Sequence, residues 1–361
     1  MGGWSTVKKR RSVKVGNLTM GGGAPPIVQS MNNTLTTDVK ATLNQIEALA
    51  RAGCELTRLA VPDRAAADVL PEIVRNSPLP IVADIHFSAD LALRSLEAGV
   101  SKLRINPGNI GGPDKLREVA TAAAALRVPI RVGVNAGSLE ARIIAEEGGV
   151  TAHGLVRSAL EAARLLEEAD FRDIVISLKA SSPALTIAAY RELAGRCDYP
   201  LHIGVTEAGF GSTGLIRSAV GIGTLLAEGI GDTLRVSLTD DPLAEVAAAW
   251  DILAALGLRR RGPTFISCPT CGRTQVDLVR TAAEVKNALA HITEPLTIAV
   301  MGCVVNGPGE AREADFGLAG GKDFFALFSR GEVLEKVPAE RAAARLIEVV
   351  NEYVAGKASE A

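Results

Sequence analysis

The stretch LPIVADIHFSADLALRSLEAGVSKLRIN (79–106) contains two short strand-like runs, LPIVADI (79–85) and SKLRIN (101–106), around an Ala-, Leu- and Arg-rich segment of helical composition. Run, helix, run is the βαβ order, which sets neighbouring strands parallel. The rhythm extends outward both ways. Upstream lie PIVQS (26–30) and ELTRLAV (55–61); downstream lie PIRVGV (129–134), IVISLK (174–179), PLHIGV (200–205) and TLRVSL (233–238). Between them run amphipathic segments such as DVKATLNQIEALARAG (38–53), opened by Asp and closed by Gly, and DPLAEVAAAWDILAALG (241–257). Eight βα units predict a (β/α)8 TIM-type barrel, with a doubly wound open sheet as the rival arrangement.

After LRRRGPTF (258–265) the pattern changes. Three clustered cysteines, a helical stretch RTQVDLVRTAAEVKNALAHI, an apolar run PLTIAVMG, strand-like ADFGLAG and DFFALFS, and a last helix PAERAAARLIEVVNEYVAG predict a smaller α+β domain. The expected division is 1–258 for the barrel and 259–361 for the second domain. A length of 361 residues with 47% hydrophobic and 22% charged residues suits two cored domains. The formal net charge of −2 provides no basic field for nucleic acid or a membrane surface. No apolar run reaches the roughly 18 residues a bilayer requires, and the N-terminus lacks the apolar centre of a secretory signal. KKRR (8–11) reads as a solvated arm. Five cysteines, an odd number, argue against a disulfide framework and for a reducing, cytoplasmic setting.

Barrel chemistry sits at the C-terminal ends of the strands. Those ends carry Asn32 and Asn33, Arg58, Asp84 and His86, Arg104 and Asn106, Arg131 and Asn135, Lys179, Glu207, and Arg235 with Ser237. Five cations converging on one opening repel unless an anion sits among them, and guanidinium groups match phosphate oxygens in pairs. The implied ligand is a small molecule with more than one phosphate. Gly-rich NPGNIGG (106–112) and GSTG (211–214) offer further backbone N–H groups. Glu207, Asp84 and His86 are the acid–base candidates. His202, inside a strand, reads as structural.

Cys268-Pro-Thr-Cys271 is a C-x2-C knuckle, and Cys303 adds a third thiol. Cys54 and Cys197 fall in barrel segments and read as small apolar residues. The NGPGE turn delivers Glu310, a hard oxygen donor and a poor partner for a soft thiolate site. A [4Fe–4S] cluster with three thiolates and one exchangeable oxygen ligand would use that mismatch; a closed zinc knuckle is the alternative.

ADIHF, LRINPGNIG, IRVGVNAGSLE, TEAG, IGDTLRVSL, FISCPTCGR and GCVVNGPGE, in that order, resemble the 4-hydroxy-3-methylbut-2-enyl diphosphate synthase family in its short bacterial form, from about residue 9 to 357. The resemblance implies an oxidoreductase of the methylerythritol phosphate route to isoprenoids. It implies a [4Fe–4S] cluster on Cys268, Cys271, Cys303 and Glu310, with reduced flavodoxin or ferredoxin as donor. The substrate so implied is 2-C-methyl-D-erythritol 2,4-cyclodiphosphate, held by Arg58, Arg104, Arg131, Asn135, Lys179, Arg235 and Ser237. It further implies Glu207 as a proton donor, Asn306 near the cluster, and a homodimer in which one chain's cluster domain covers its partner's barrel mouth. A zinc-stabilised barrel enzyme of non-redox chemistry is the competing reading from the residues alone.

Overall fold

The computed structural model describes residues 10–106, 109–303 and 311–360. The chain forms two compact units, Met1–Arg259 and Arg260–Ala361.

In the first unit a two-stranded hairpin, β1 (Ser12–Val15) and β2 (Leu18–Gly21), precedes eight parallel strands. These are β3 (Ile27–Met31), β4 (Leu56–Ala60), β5 (Ile81–Asp84), β6 (Lys102–Ile105), β7 (Ile130–Asn135), β8 (Ile174–Lys179), β9 (His202–Ile203) and β10 (Thr233–Leu234). Each coincides with one of the eight runs read from the sequence. The sheet order is β8-β7-β6-β5-β4-β3-β10-β9. The order is that of a barrel closing on itself, and a single parallel bridge, Ile176 to Leu201, joins its two ends. Helices on the outside start where short polar side chains cap them. Asp38 accepts the N–H of Ala41 at 3.0 Å, and Ser88 that of Leu91 at 3.3 Å.

Successive strand residues alternate faces, so every second residue looks into the barrel. The lowest inward layer is apolar: Ile27, Leu56, Val82 and Val175 pack against Val13, Val15 and Met20 of the hairpin. The hairpin thus floors the barrel. The expectation of a solvated basic arm is corrected here for Arg10, while Arg11 is exposed. Arg10 is buried, donates to the Tyr199 carbonyl at 3.3 Å and lies 3.5 Å from Asp232. Arg11 pairs with Asp198 at 2.9 Å and lies over the Tyr199 ring. Arg10 and Arg11 looked solvated because their acidic partners, Asp232 and Asp198, lie far away along the chain.

The second unit holds a five-stranded sheet, β11 (Thr264–Ser267), β12 (Thr297–Met301), β13 (Phe316–Gly320), β14 (Phe324–Ser329) and β15 (Glu332–Pro338), in that order. The first three strands are parallel and the last two join antiparallel. Helices Leu278–Ala288 and Ala342–Glu360 share a core with the sheet through residues such as Val285, Leu346, Ile298, Leu318 and Leu327. β15 went unread because it is largely exposed and lacks a buried apolar face. Among the described residues, no helix is long and apolar enough to cross a membrane.

The β8–β9 seam has little ladder, and Tyr190 spans it. Its hydroxyl accepts the N–H of Leu178 at 2.9 Å and donates to the His202 carbonyl, wholly buried. Tyr190→Phe keeps the ring and orphans both backbone groups. It is expected to cost about 1–3 kcal/mol in urea unfolding of the full chain. An unchanged midpoint would show that the seam does not depend on this hydroxyl.

Candidate active site

At the C-terminal ends of the strands a cavity of about 240 Å³ is lined by Arg58, Asp84, His86, Arg104, Arg131, Gly133, Asn135, Ser177, Lys179, Thr206, Arg235 and Ser237. Each cation expected there is present. Arg58, Arg104, Arg131 and Lys179 are buried, and Arg235 is partly so.

Two carboxylates organise them. Asp84 accepts from Arg104 Nη1 at 3.0 Å and lies 3.5 Å from Arg58 Nε. Burial pushes the Asp84 carboxyl up, but Arg58, then Arg104, Arg131 and His86 outweigh that and hold it at about 2. Glu245 reaches in from helix Pro242–Ala255, pairs with Arg235 at 3.1 Å and accepts the N–H of Leu238 at 2.9 Å. Burial raises its carboxyl, partly offset by Arg235. Met31 Sδ accepts from Arg58 Nη2 at 2.8 Å. Burial lowers Arg58 to about 10 and draws Lys179 well below the ordinary lysine value, with the neighbouring arginines adding to the effect on Lys179.

Guanidinium groups stay protonated in proteins, so four of them face two carboxylates here. Two positive charges are left over, with Lys179 as a third when it carries its proton. The donors are also in excess. Among the described residues, Arg131 Nε and Nη1 and Arg104 Nε, all buried, have no acceptor. Such groups are costly unless something completes them.

Two glycines make room. A Cβ on Gly133 would lie 2.8 Å from Arg104 Nε, and one on Gly204 would lie 2.5 Å from the Arg235 carbonyl and 3.1 Å from Lys179 Nζ. Neither was read from the sequence, nor were Ser177, Thr206 and Glu245. Stepping by two from Arg131 and Lys179 finds Gly133 and Ser177. Glu245 carried one faint signal, a lone acid in the apolar segment AEVAAAW.

Other expectations land elsewhere. Asn32 is buried and accepts from Thr57 Oγ1 at 2.7 Å, and Asn33 pairs with Gln45, so both serve the β3 turn. His86 lies at the rim, 3.2 Å from Arg104 Nη1, with its side chain more than half exposed. Burial lowers its pKa, with Asp84 opposing and Arg104 adding to the fall. Glu207 is exposed and outside the lining, next to lining residue Thr206, on a left-handed backbone with φ 51°. That conformation is uncommon for a non-glycine residue and stores strain. GSTG forms the first turn of helix Gly211–Ala227. Cys54 and Cys197 are buried apolar residues, as read.

In the second unit Cys268 directly follows β11, and Cys303 follows β12 by two residues. The strands are parallel neighbours with Ser267 opposite Val300, so both thiols leave the sheet at the same edge. Cys268 Sγ accepts the N–H of Gly302 at 3.2 Å. Cys271 is exposed, and the Arg273 backbone N–H, followed by its side chain, draws the thiol below its ordinary value. Cys303 is buried. Thiols with N–H donors aimed at sulfur suit a soft iron–sulfur centre. Among the described residues, no three His, Cys, Asp or Glu side chains are gathered closely enough to hold a metal ion. Glu310 and Asn306 lie outside the described residues.

A parallel barrel with surplus guanidinium groups at its strand ends is a TIM barrel whose mouth carries excess positive charge. Residues 10–250 match the GcpE TIM-barrel domain and 264–352 the GcpE protein C-terminal domain; the chain belongs to the GcpE family. It is 57% identical, over 97% of its length and 99% of the relative's, to the Geobacter sulfurreducens protein named 4-hydroxy-3-methylbut-2-en-1-yl diphosphate synthase (flavodoxin). The Ruminiclostridium cellulolyticum protein of the same name is 52% identical over 95% of this chain and 97% of its own. A solved dihydropteroate synthase from Vibrio fischeri ES114 overlaps 68% of this chain and 98% of its own at 12% identity and TM-score 0.48, too slight a likeness for any argument.

Asp84→Asn would leave Arg58 and Arg104 buried without their shared counter-ion. The expected cost is about 3–5 kcal/mol at neutral pH in urea unfolding. Because the folded carboxyl is depressed, the wild-type contribution is complete above the unfolded value of 3.8 and is lost as pH falls through about 2. Equal midpoints for variant and wild type at pH 7 would remove Asp84 as the organiser.

Proposed function

We infer that the protein reductively opens 2-C-methyl-D-erythritol 2,4-cyclodiphosphate to (E)-4-hydroxy-3-methylbut-2-enyl diphosphate, an oxidoreductase step in isoprenoid precursor synthesis. The observation that carries the reading at the site is Arg131, buried beneath the cavity with Nε and Nη1 lacking acceptors. The relatives' shared name gives the reaction.

The ring carries one negative charge on each phosphate. Arg58, Arg104, Arg131 and Arg235 exceed Asp84 and Glu245 by that same count, and Asn135, Ser237 and Lys179 add uncharged or titratable donors. In the reaction the carbon–oxygen bond to one phosphate breaks, leaving that phosphate as the end of a linear diphosphate. The neighbouring hydroxyl departs as water, two electrons enter, and one proton completes the water. The product has one more negative charge than the ring, and Lys179, well below its ordinary value in the empty site, is placed to answer it by taking up a proton.

Cys268, Cys271 and Cys303 would hold a [4Fe–4S] cluster, with Glu310 as the fourth, exchangeable ligand and Asn306 nearby. When bound, such a cluster supplies single electrons and a Lewis-acidic iron. Reduced flavodoxin, named for the relatives, is the proposed donor, with ferredoxin the alternative. Glu207 is proposed as the donor of the proton that completes the water, and Asp84 and His86 as the pair that sets the charge beside Arg104. The proposed working form is a homodimer.

Anaerobic protein reconstituted with iron and sulfide should carry about four irons per chain. With reduced flavodoxin it should convert the cyclic diphosphate to the linear one, consuming two electrons per molecule. Loaded protein that binds the ring and returns it unchanged would overturn the reading. Glu207→Gln should lower kcat about 10²-fold or more while leaving the Kd for the ring unchanged. A full-rate variant would move the proton donor elsewhere.

A further inference from the structure

Between the apolar floor and the phosphate-binding mouth lies a second inward layer that neither accounts for. One pleat below Arg104 on β6 is Lys102, fully buried. Among the described residues, its Nζ reaches only the Gln29 amide oxygen at 3.5 Å and Met20 Sδ at 3.8 Å, contacts too long to satisfy an ammonium. Around it stand Arg131 on β7 and Arg58 on β4, and across the barrel His202 on β9, all buried. The nearest carboxylate by strand position, Asp84 on β5, is already engaged by Arg58 and Arg104. Among the described residues, Gln29 Nε2 and both ring nitrogens of His202 have no hydrogen-bond partner.

A lysine on this face costs more than the methionine that would fill the same space. In the empty barrel it would be a sixth cation among guanidinium groups. Burial first, then Arg131 and Arg58, favour its uncharged amine. Two phosphate charges in the mouth above offset those same arginines and remove their share of the opposition to a charged amine.

We propose that Lys102 takes up a proton when the cyclic diphosphate occupies the mouth, adding a positive charge beneath the ligand that the empty barrel does not have to hold. The proton comes from the buffer to the Nζ lone pair, and no bond to the ligand forms. The inference rests on the mouth being the diphosphate site. Because the ligand raises the amine's proton affinity, the added binding strength is complete below the ligand-free pKa and is lost as pH rises through the ligand-bound one.

The test is calorimetric titration of the cluster-loaded, unreduced full chain with 2-C-methyl-D-erythritol 2,4-cyclodiphosphate in three buffers of different ionisation enthalpy. Without reductant there is no turnover, and the slope of heat against buffer enthalpy counts protons. The wild type should take up about one proton more per ligand than Lys102→Met. Lys179 and His86 are present in both proteins, so their uptake cancels in the difference; because Lys102 acts on His202, the pair is repeated in a His202→Asn background, where the deficit must persist. Equal uptake in the two proteins overturns the proposal, as does an absence of uptake in the wild type. Failure of the ring to bind at all would instead overturn the assignment of the mouth. Should methionine not be tolerated, Lys102→Gln, which cannot titrate, must show the same deficit.

Discussion

Asp84 carries one charge and serves two guanidinium groups, from β4 and β6, on the strands either side of its own. The rest of the site depends on that shared pair. It fixes Arg58 and Arg104 against each other despite their repulsion, while leaving half of their combined charge free to face the cavity. Glu245 fixes Arg235 alone, from outside the barrel, through a helix that lies against β3. Among the described residues, Arg131 has no such counter-ion and remains short of acceptors. The mouth therefore carries surplus positive charge and unmatched donors, because among the described residues few carboxylates face it.

That arrangement is possible because the barrel is stratified. Side chains alternate in and out along each strand, so a polar top and an apolar floor can belong to the same strands. Ile27 and Met31 stand on one strand, as do Val175, Ser177 and Lys179. The hairpin before the barrel closes the floor with Val13, Val15 and Met20, beneath the buried cations. Glycine at 133 and 204 then lets Arg104, Lys179 and the Arg235 backbone approach more closely than any side chain would allow. The middle layer with Lys102 and His202 is where these two demands meet.

The second unit solves a different problem with a small sheet. Parallel β11 and β12 bring Cys268 and Cys303, far apart in sequence, to one edge, and N–H groups of Gly302 and Arg273 are directed at sulfur. At Cys271 these donors favour thiolate over thiol.

Much of this was legible in the chain. Eight runs at regular spacing determined parallel βα units, because strands covered by helices must be apolar and separated by a helix length, while closure into a barrel over an open sheet was decided by the fold. The same logic placed Arg58, Arg104, Arg131, Asn135, Lys179, Arg235 and Ser237 at one opening, since position at a strand's end is a local property. The cysteine spacing and the ordered motifs pointed to the family and its chemistry. Other features depended on the fold. Arg10 became a buried residue only when Tyr199 and Asp232 came beside it. Asn32 and Asn33 turned toward Thr57 and Gln45, and Glu207 fell outside the cavity. The charge balance of the mouth, the roles of Asp84 and Glu245, and the unmatched donors around Lys102 were likewise decided in three dimensions. Each depends on which charges become neighbours across strands, and electrostatic energy follows distance in space, while the sequence orders residues only along the chain.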